Sequence, residues 1–130
     1  MKKTLFLLSF VLLFISCSSD DNSNVPTPDS IEQTEWEHLE SNRGYYIYFS
    51  SLNNEVRINH PYYDVGSDSW HNEDIFGTFT YNKPDVTMSY YGDCYNSGFV
   101  FSSCNVTATI NGNILSVNDN GTTYNFTRKY

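Results

Sequence analysis

From residue 34 to the end of the chain, apolar and polar side chains exchange places at every second position. Only an extended strand sends successive side chains to opposite faces, so this rhythm predicts strands and little else. It is cleanest over 86–91, where Val86, Met88 and Tyr90 oppose Thr87, Ser89 and Tyr91, and over 104–110, where Val106, Ala108 and Ile110 run in phase. Eight such segments are predicted: 34–40, 45–50, 55–59, 75–81, 86–91, 104–110, 113–118 and 122–129. The first also suits a short helix, through Ile31, Trp36 and Leu39. The residue supply agrees with strands. Beyond residue 16 there are one alanine and three leucines against eleven tyrosines, ten threonines and seven valines, a stock of β-branched and aromatic residues with few strong helix formers.

Turn signals separate the segments. Asn111-Gly112 predicts a type I′ hairpin turn, Asn120-Gly121 a further turn, and Leu52-Asn53-Asn54 and 82–85 two more. The polar stretch 63–74 reads as a longer loop. No segment offers the connection that a parallel crossover needs. The expected fold is therefore all-β, an antiparallel up-and-down meander of about eight strands. Left open, such a meander exposes two edges, and closing it into a small barrel removes them. A β-sandwich or an open meander stands as the alternative.

The amino-terminal residues carry a different pattern. Lys2 and Lys3 precede an apolar run at 5–15 broken only by Ser9. That run is shorter than the ~20 residues that span a bilayer and reads as an export signal covering 1–16. Phe14-Ile15-Ser16-Cys17 resembles a lipobox. It departs from the usual form in Ile15 and in lacking Ala or Gly. The resemblance implies cleavage before Cys17 and acylation of its thiol, palmitate included. The alternative is an ordinary signal peptide with an incidental cysteine. Ser18-Ser19-Asp20-Asp21 resembles the start of Bacteroidota lipoproteins, in which an early acidic pair implies export to the outer face of the outer membrane. Residues 17–33, polar with Pro26 and Pro28, read as a lipidated Cys and flexible tether, and 34–130 as the β domain. Within the tether, Asp29-Ser30-Ile31 is similar to the O-glycosylation acceptor of that bacterial group. Ser30 equally suits a helix N-cap, with Gln33 closing a capping box.

Loss of Lys2 and Lys3 leaves five basic residues against fifteen acidic, a net charge of −10. Such a surface repels polyphosphate and anionic lipid. Nucleic acid is excluded as a partner, and membrane contact is expected through the lipid anchor only.

Over 34–130 the chain resembles the small lipocalin-like (calycin-type) domains of Bacteroidota lipoproteins. The resemblance rests on strand order, Trp36 in the first strand, Gly77-Thr78-Phe79-Thr80-Tyr81, and the closing segments 111–117 and 123–127. It implies that an arginine on the last strand, here Arg128, packs across Trp36 and closes one barrel end. The family's glycine two positions before the tryptophan is replaced by Thr34. The alternative is a core Trp36 with an exposed Arg128.

Cys94 and Cys104 fall in the inward phase of their strands and, outside the cytoplasm, are expected to pair; two buried free thiols are the alternative. The bond clamps a loop holding Tyr95, Phe99 and Phe101. Phe99 and Phe101 either extend the sixth strand inward or, in the closed loop with Tyr95, form an apolar contact tip. Trp70 is a further contact candidate, expected to cover a barrel mouth. His60, His71, Asp64, Asp68, Glu73 and Asp74 gather in the third connection, but their spacing does not match an EF-hand, so a solvated acidic loop is expected and no metal. There is no G-x-S-x-G, phosphate-cradling glycine loop or H-E-x-x-H, and His38, His60 and His71 lie in scattered contexts. The expectation is a non-enzymatic, cofactor-free outer-membrane lipoprotein that binds a small apolar ligand, a glycan or a protein. The alternative is a structural or inhibitory accessory protein with a filled barrel.

Overall fold

The computed structural model describes residues 26–40, 43–92, 94 and 100–130. They form eight strands: β1 (Thr34–Glu40), β2 (Arg43–Phe49), β3 (Glu55–Asp64), β4 (Ser69–Asn82), β5 (Asp85–Tyr90), β6 (Asn105–Asn111), β7 (Ile114–Asp119) and β8 (Thr122–Lys129). Each pairs antiparallel with the next, and β1 pairs with β8, closing the sheet into an up-and-down barrel. The closure answers the edge problem that the meander posed. The sandwich and the open meander are set aside, as is the helical reading of the first segment.

Alternation decides which side chains enter. Trp36, Ile47, Phe49, Val56, Ile58, Met88, Leu115, Val117 and Phe126 are each 0% exposed. No water-sized probe touches them, either from outside or from within, so side chains fill the middle of the barrel. Gly77, on β4, sits where the wall is tightest. A Cβ there would lie 2.4 Å from the Ser89 carbonyl oxygen and 2.8 Å from the Tyr90 Cα.

Two turns show how local chemistry sets the hairpins. Asn120-Gly121, between paired Asp119 and Thr122, has φ of 49° and 89°, the double positive φ of a type I′ turn. The β6–β7 turn differs from expectation. Asn111 pairs with Ile114, so the central residues are Gly112-Asn113, and of these Gly112 alone has positive φ, at 58°. Glycine at the first central position is the mark of type II′. The register moved the turn one residue along because Ile110 and Leu115 must face inward together.

The largest departure is in β3 and β4. The stretch 63–74 was expected to be a loop, yet it is mostly ladder: Asp64 pairs with Ser69, and the chain turns only at 65–68. The hairpin runs beyond the filled part of the barrel. Residues 70–74 are exposed on both faces, so no apolar rhythm marks them as strand.

Along this topology one barrel end carries the entering chain and the turns after β2, β4 and β6; the other, the mouth, carries those after β1, β3, β5 and β7. The entering segment belongs to the barrel rather than to a free tether over 26–33. Ile31 is 0% exposed. Tyr81 donates its hydroxyl to the Pro28 carbonyl at 2.5 Å, Lys83 meets Asp29 at 2.8 Å, and the Gln33 N–H donates to the Phe49 carbonyl at 2.7 Å. That lysine, through its hydrogen bond and then its charge, holds the Asp29 carboxyl below its ordinary range. Burying one apolar residue and docking the backbone outweighs the freedom that composition suggested.

Candidate functional site

At the closed end the expected Trp36–Arg128 pair is in place. The two residues are opposite each other in the β1–β8 register, and the guanidinium carbon lies 6.0 Å from the ring centroid. The indole N–H donates to Thr34 Oγ1 at 2.9 Å, and the Thr34 hydroxyl in turn donates to the Ile31 carbonyl. Thr34 thus links the tryptophan to the entering segment at Ile31. Ser30 starts no helix. Its Oγ accepts from the Glu32 N–H at 3.2 Å within a tight turn, Gln33 has φ of 58°, and the serine is exposed. The N-cap reading is thereby corrected. Cys17, Tyr95 and Phe99 lie outside the described residues.

The mouth is stopped by an aromatic cluster. Cys94 and Cys104 form a disulfide with Cα atoms 5.5 Å apart, both buried. Phe101 precedes β6 rather than extending it, and turns inward to 3% exposure. Its ring centroid stands 5.6 Å from Tyr124, 6.2 Å from Tyr90 and 6.2 Å from Phe126. So Phe101 is a plug, not an exposed tip. The next residue fixes it: buried Asp119 accepts from the Ser102 backbone N–H and, at 3.0 Å, from its hydroxyl. Burial pushes the Tyr90 phenol far above its ordinary range and raises Tyr124 as well, where Asp119 adds to the shift. Replacing both Cys94 and Cys104 by serine is expected to cost about 2–3 kcal/mol, the chain-entropy value for so short a loop. Urea unfolding of the double variant measures it, and an unchanged midpoint would contradict a constraint of that size.

The three histidines occupy separate settings. His38 Nδ1 donates to the Asn125 carbonyl at 2.8 Å, and its ring packs 5.3 Å from Phe126 and 5.9 Å from Tyr124. His60 is buried on β3, and His71 is exposed with Nε2 at 3.0 Å from Ser67 Oγ and 2.9 Å from Ser69 Oγ. The acidic residues of the β3–β4 turn serve the turn itself. Asp64 accepts from Ser67 Oγ at 2.7 Å and the Gly66 N–H at 2.9 Å, which hold its carboxyl below the ordinary range. Asp68 accepts from the Tyr63 hydroxyl and raises that phenol. Among the described residues no group of three or more His, Cys, Asp or Glu side chains is arranged to hold a metal ion.

Trp70 is elsewhere than expected. It is in the outward phase of β4, half exposed, and covers no mouth. It walls a groove of about 370 Å3 on the outside of the barrel, together with Arg43, Tyr46, Asn59, Pro61 and Asn72. Ladder register assembles it: Tyr46 pairs with Asn59, and Pro61 with Asn72. The Arg43 guanidinium lies 4.8 Å from the Trp70 ring centroid, and Tyr63 meets the ring edge-on at 5.4 Å. Tyr46 carries Lys129 Nζ at 4.8 Å from its ring centroid. Gly44 forms part of the lining, and a Cβ on it would sit 2.5 Å from the Tyr46 hydroxyl. A second cavity, of about 300 Å3, lies beside the entering segment at Asp29, Ile31 and Tyr81.

No family model, curated protein or solved structure matches the chain.

Proposed function

We propose that the chain is a lipid-anchored, non-catalytic binding module of the bacterial outer membrane that recognises its partner with the outer wall of a filled barrel. The observation that carries this reading is where space lies. Nine inward side chains in the middle of the barrel have no accessible surface, whereas the wall at β2–β4 offers a groove of about 370 Å3. Ligand sites run to about 300–1,000 Å3, so the outer groove has the room that the interior lacks. Of the three ligand classes expected from sequence, a small apolar molecule held inside fits least, and a glycan or a protein on the wall fits best.

The anchor remains part of the proposal. Acyl chains on Cys17 contribute ~0.8 kcal/mol per buried methylene, and residues 18–25 separate that cysteine from the packed segment at 26–33. Arg128 over Trp36 favours the lipocalin-like affiliation within the same proposal. The filled interior also favours a second reading, a structural or inhibitory accessory protein that acts by occupying a surface.

Native mass spectrometry of the full chain, extracted from membranes in mild detergent, tests the proposal. The expected result is a mature chain beginning at an acylated Cys17 with no small molecule retained inside. A stoichiometric apolar ligand surviving extraction, or a mature amino terminus elsewhere, would overturn it.

A further inference from the structure

We infer that the outer groove is a saccharide site, selective for a sugar ring that bears a carboxylate. The inference rests on the outer-wall reading above and assigns it a ligand class. Three features of the groove carry it.

The first is charge. The sequence holds fifteen acidic residues against seven basic ones, yet among the described residues no carboxylate lines the groove, while Arg43 does. The outward cations Arg57 and Lys129 meet Asp74 at 3.6 Å and Glu35 at 2.9 Å. Among the described residues no carboxylate pairs with Arg43. Glu40, its cross-strand partner in the β1–β2 register, lies instead 3.3 Å from His38 Nε2. A guanidinium presents a planar fork that matches a carboxylate with two parallel hydrogen bonds. An anion at Arg43 therefore gains a donor pair without displacing a carboxylate, the guanidinium face staying on Trp70.

The second is the pairing of flat apolar faces with amides. Trp70 and Tyr46 contribute rings, each with a cation over one face (Arg43 and Lys129, both 4.8 Å from the ring centroids), and Asn59 and Asn72 contribute side-chain amides that both donate and accept. Asn59 spends an N–H on Asp74 at 3.0 Å and keeps its carbonyl oxygen. A sugar has the complementary build, with C–H faces for the rings and hydroxyls for the amides.

The third is the glycine. With no Cβ at Gly44, the Tyr46 hydroxyl lies against the backbone of its own strand. A Cβ there would meet the phenol oxygen at 2.5 Å and force the Tyr46 ring, part of the groove wall, to shift.

The chain's two tryptophans make the test direct. Trp36 is 0% exposed and Trp70 is 51% exposed, so quenching of fluorescence by a saccharide reports on Trp70. The full-length protein in detergent micelles is titrated with a linear galacturonic acid trisaccharide and, separately, with its uncharged galactose counterpart. Saturable quenching is expected with the acidic sugar, at least tenfold weaker with the neutral one, and weakened by salt. Arg43→Met and Gly44→Ala should each reduce affinity for the acidic sugar about tenfold or more; Arg43→Met removes only an exposed side chain, so it remains informative if Gly44→Ala perturbs the fold. Equal or tighter binding of the neutral sugar, or an unaltered affinity in Arg43→Met, overturns the carboxylate assignment while the outer-wall reading stands. Absence of saturable quenching by either sugar overturns the saccharide assignment, again without touching the mass-spectrometric test of that reading.

Discussion

Trp36→Ala is expected to lose about 4 kcal/mol of folding free energy, within the ~3–5 kcal/mol that removal of a buried Phe or Trp costs. A domain of this size has roughly 5–15 kcal/mol in total, so the variant should keep roughly 1–11 kcal/mol and unfold at a clearly lower urea concentration than the parent. The size of the effect follows from three losses at one place. The indole has no exposed surface, so its removal opens a void that the rigid ladder of β1 with β2 and β8 cannot collapse into. Its N–H no longer reaches Thr34 Oγ1, the atom that ties β1 to the Ile31 carbonyl. The Arg128 guanidinium loses the ring below it.

A graded series separates those losses. Trp36→Phe keeps most of the volume and drops the N–H, and should cost about 1–2 kcal/mol, as for one buried hydrogen bond with a modest cavity. Arg128→Met tests the cation–ring contact alone and should cost about 0.5–1 kcal/mol. Urea unfolding followed by far-ultraviolet circular dichroism provides all three. A loss below about 1 kcal/mol for Trp36→Ala would mean that the closed end contributes little, and the ordering of 26–33 against the barrel would lose its energetic basis.

The fold was legible because a barrel leaves its signature in sequence wherever one face is buried. Over β5, β6 and the inner half of β4 every second residue is buried, and the period of two survives there unbroken. The outer half of the β3–β4 hairpin has nothing to bury against, so its strands are held by backbone pairing that no side-chain rhythm reports. The same physics explains the entering segment: a single buried residue, Ile31, in a polar context gives no periodic signal. The candidate site was legible only in part. Cys94, Cys104, Trp36 and Arg128 could be read because each follows the phase of a strand or belongs to a recognisable pair, whereas Phe101, buried outside any strand, could not. The groove could not, since Arg43, Asn59, Pro61 and Trp70 are separated by turns of unknown register, and a one-residue slip sends every side chain to the other face. Trp70 was noticed for its chemistry, but its side of the wall was settled only by the pairing of Tyr63 with Trp70 in the ladder.

Phe101→Ala is expected to cost about 3 kcal/mol and to lower the melting temperature by roughly 12–24 °C, at about 4–8 °C per kcal/mol for a small domain. The reasoning concerns what the mouth is. If Phe101 belongs to the packed interior, its removal strips contacts from Tyr124, Tyr90 and Phe126 at once. The backbone at Ser102 cannot move inward to fill the space, because its hydrogen bonds to Asp119 and the disulfide at Cys104 hold it. A dry pocket about the size of the lost ring then remains, lined by aromatics, and the variant should gain weak affinity for a benzene-sized probe that the parent protein lacks. A lid over an existing ligand chamber would behave in the opposite way. Its truncation would cost well under 1 kcal/mol, since a lid makes few contacts that the folded state needs, and the parent protein would already take up the probe. Thermal unfolding of parent and variant, each with and without benzene, distinguishes the two. A small loss of stability together with benzene binding by the parent would restore the barrel interior as the ligand site and remove the main support for recognition on the outer wall.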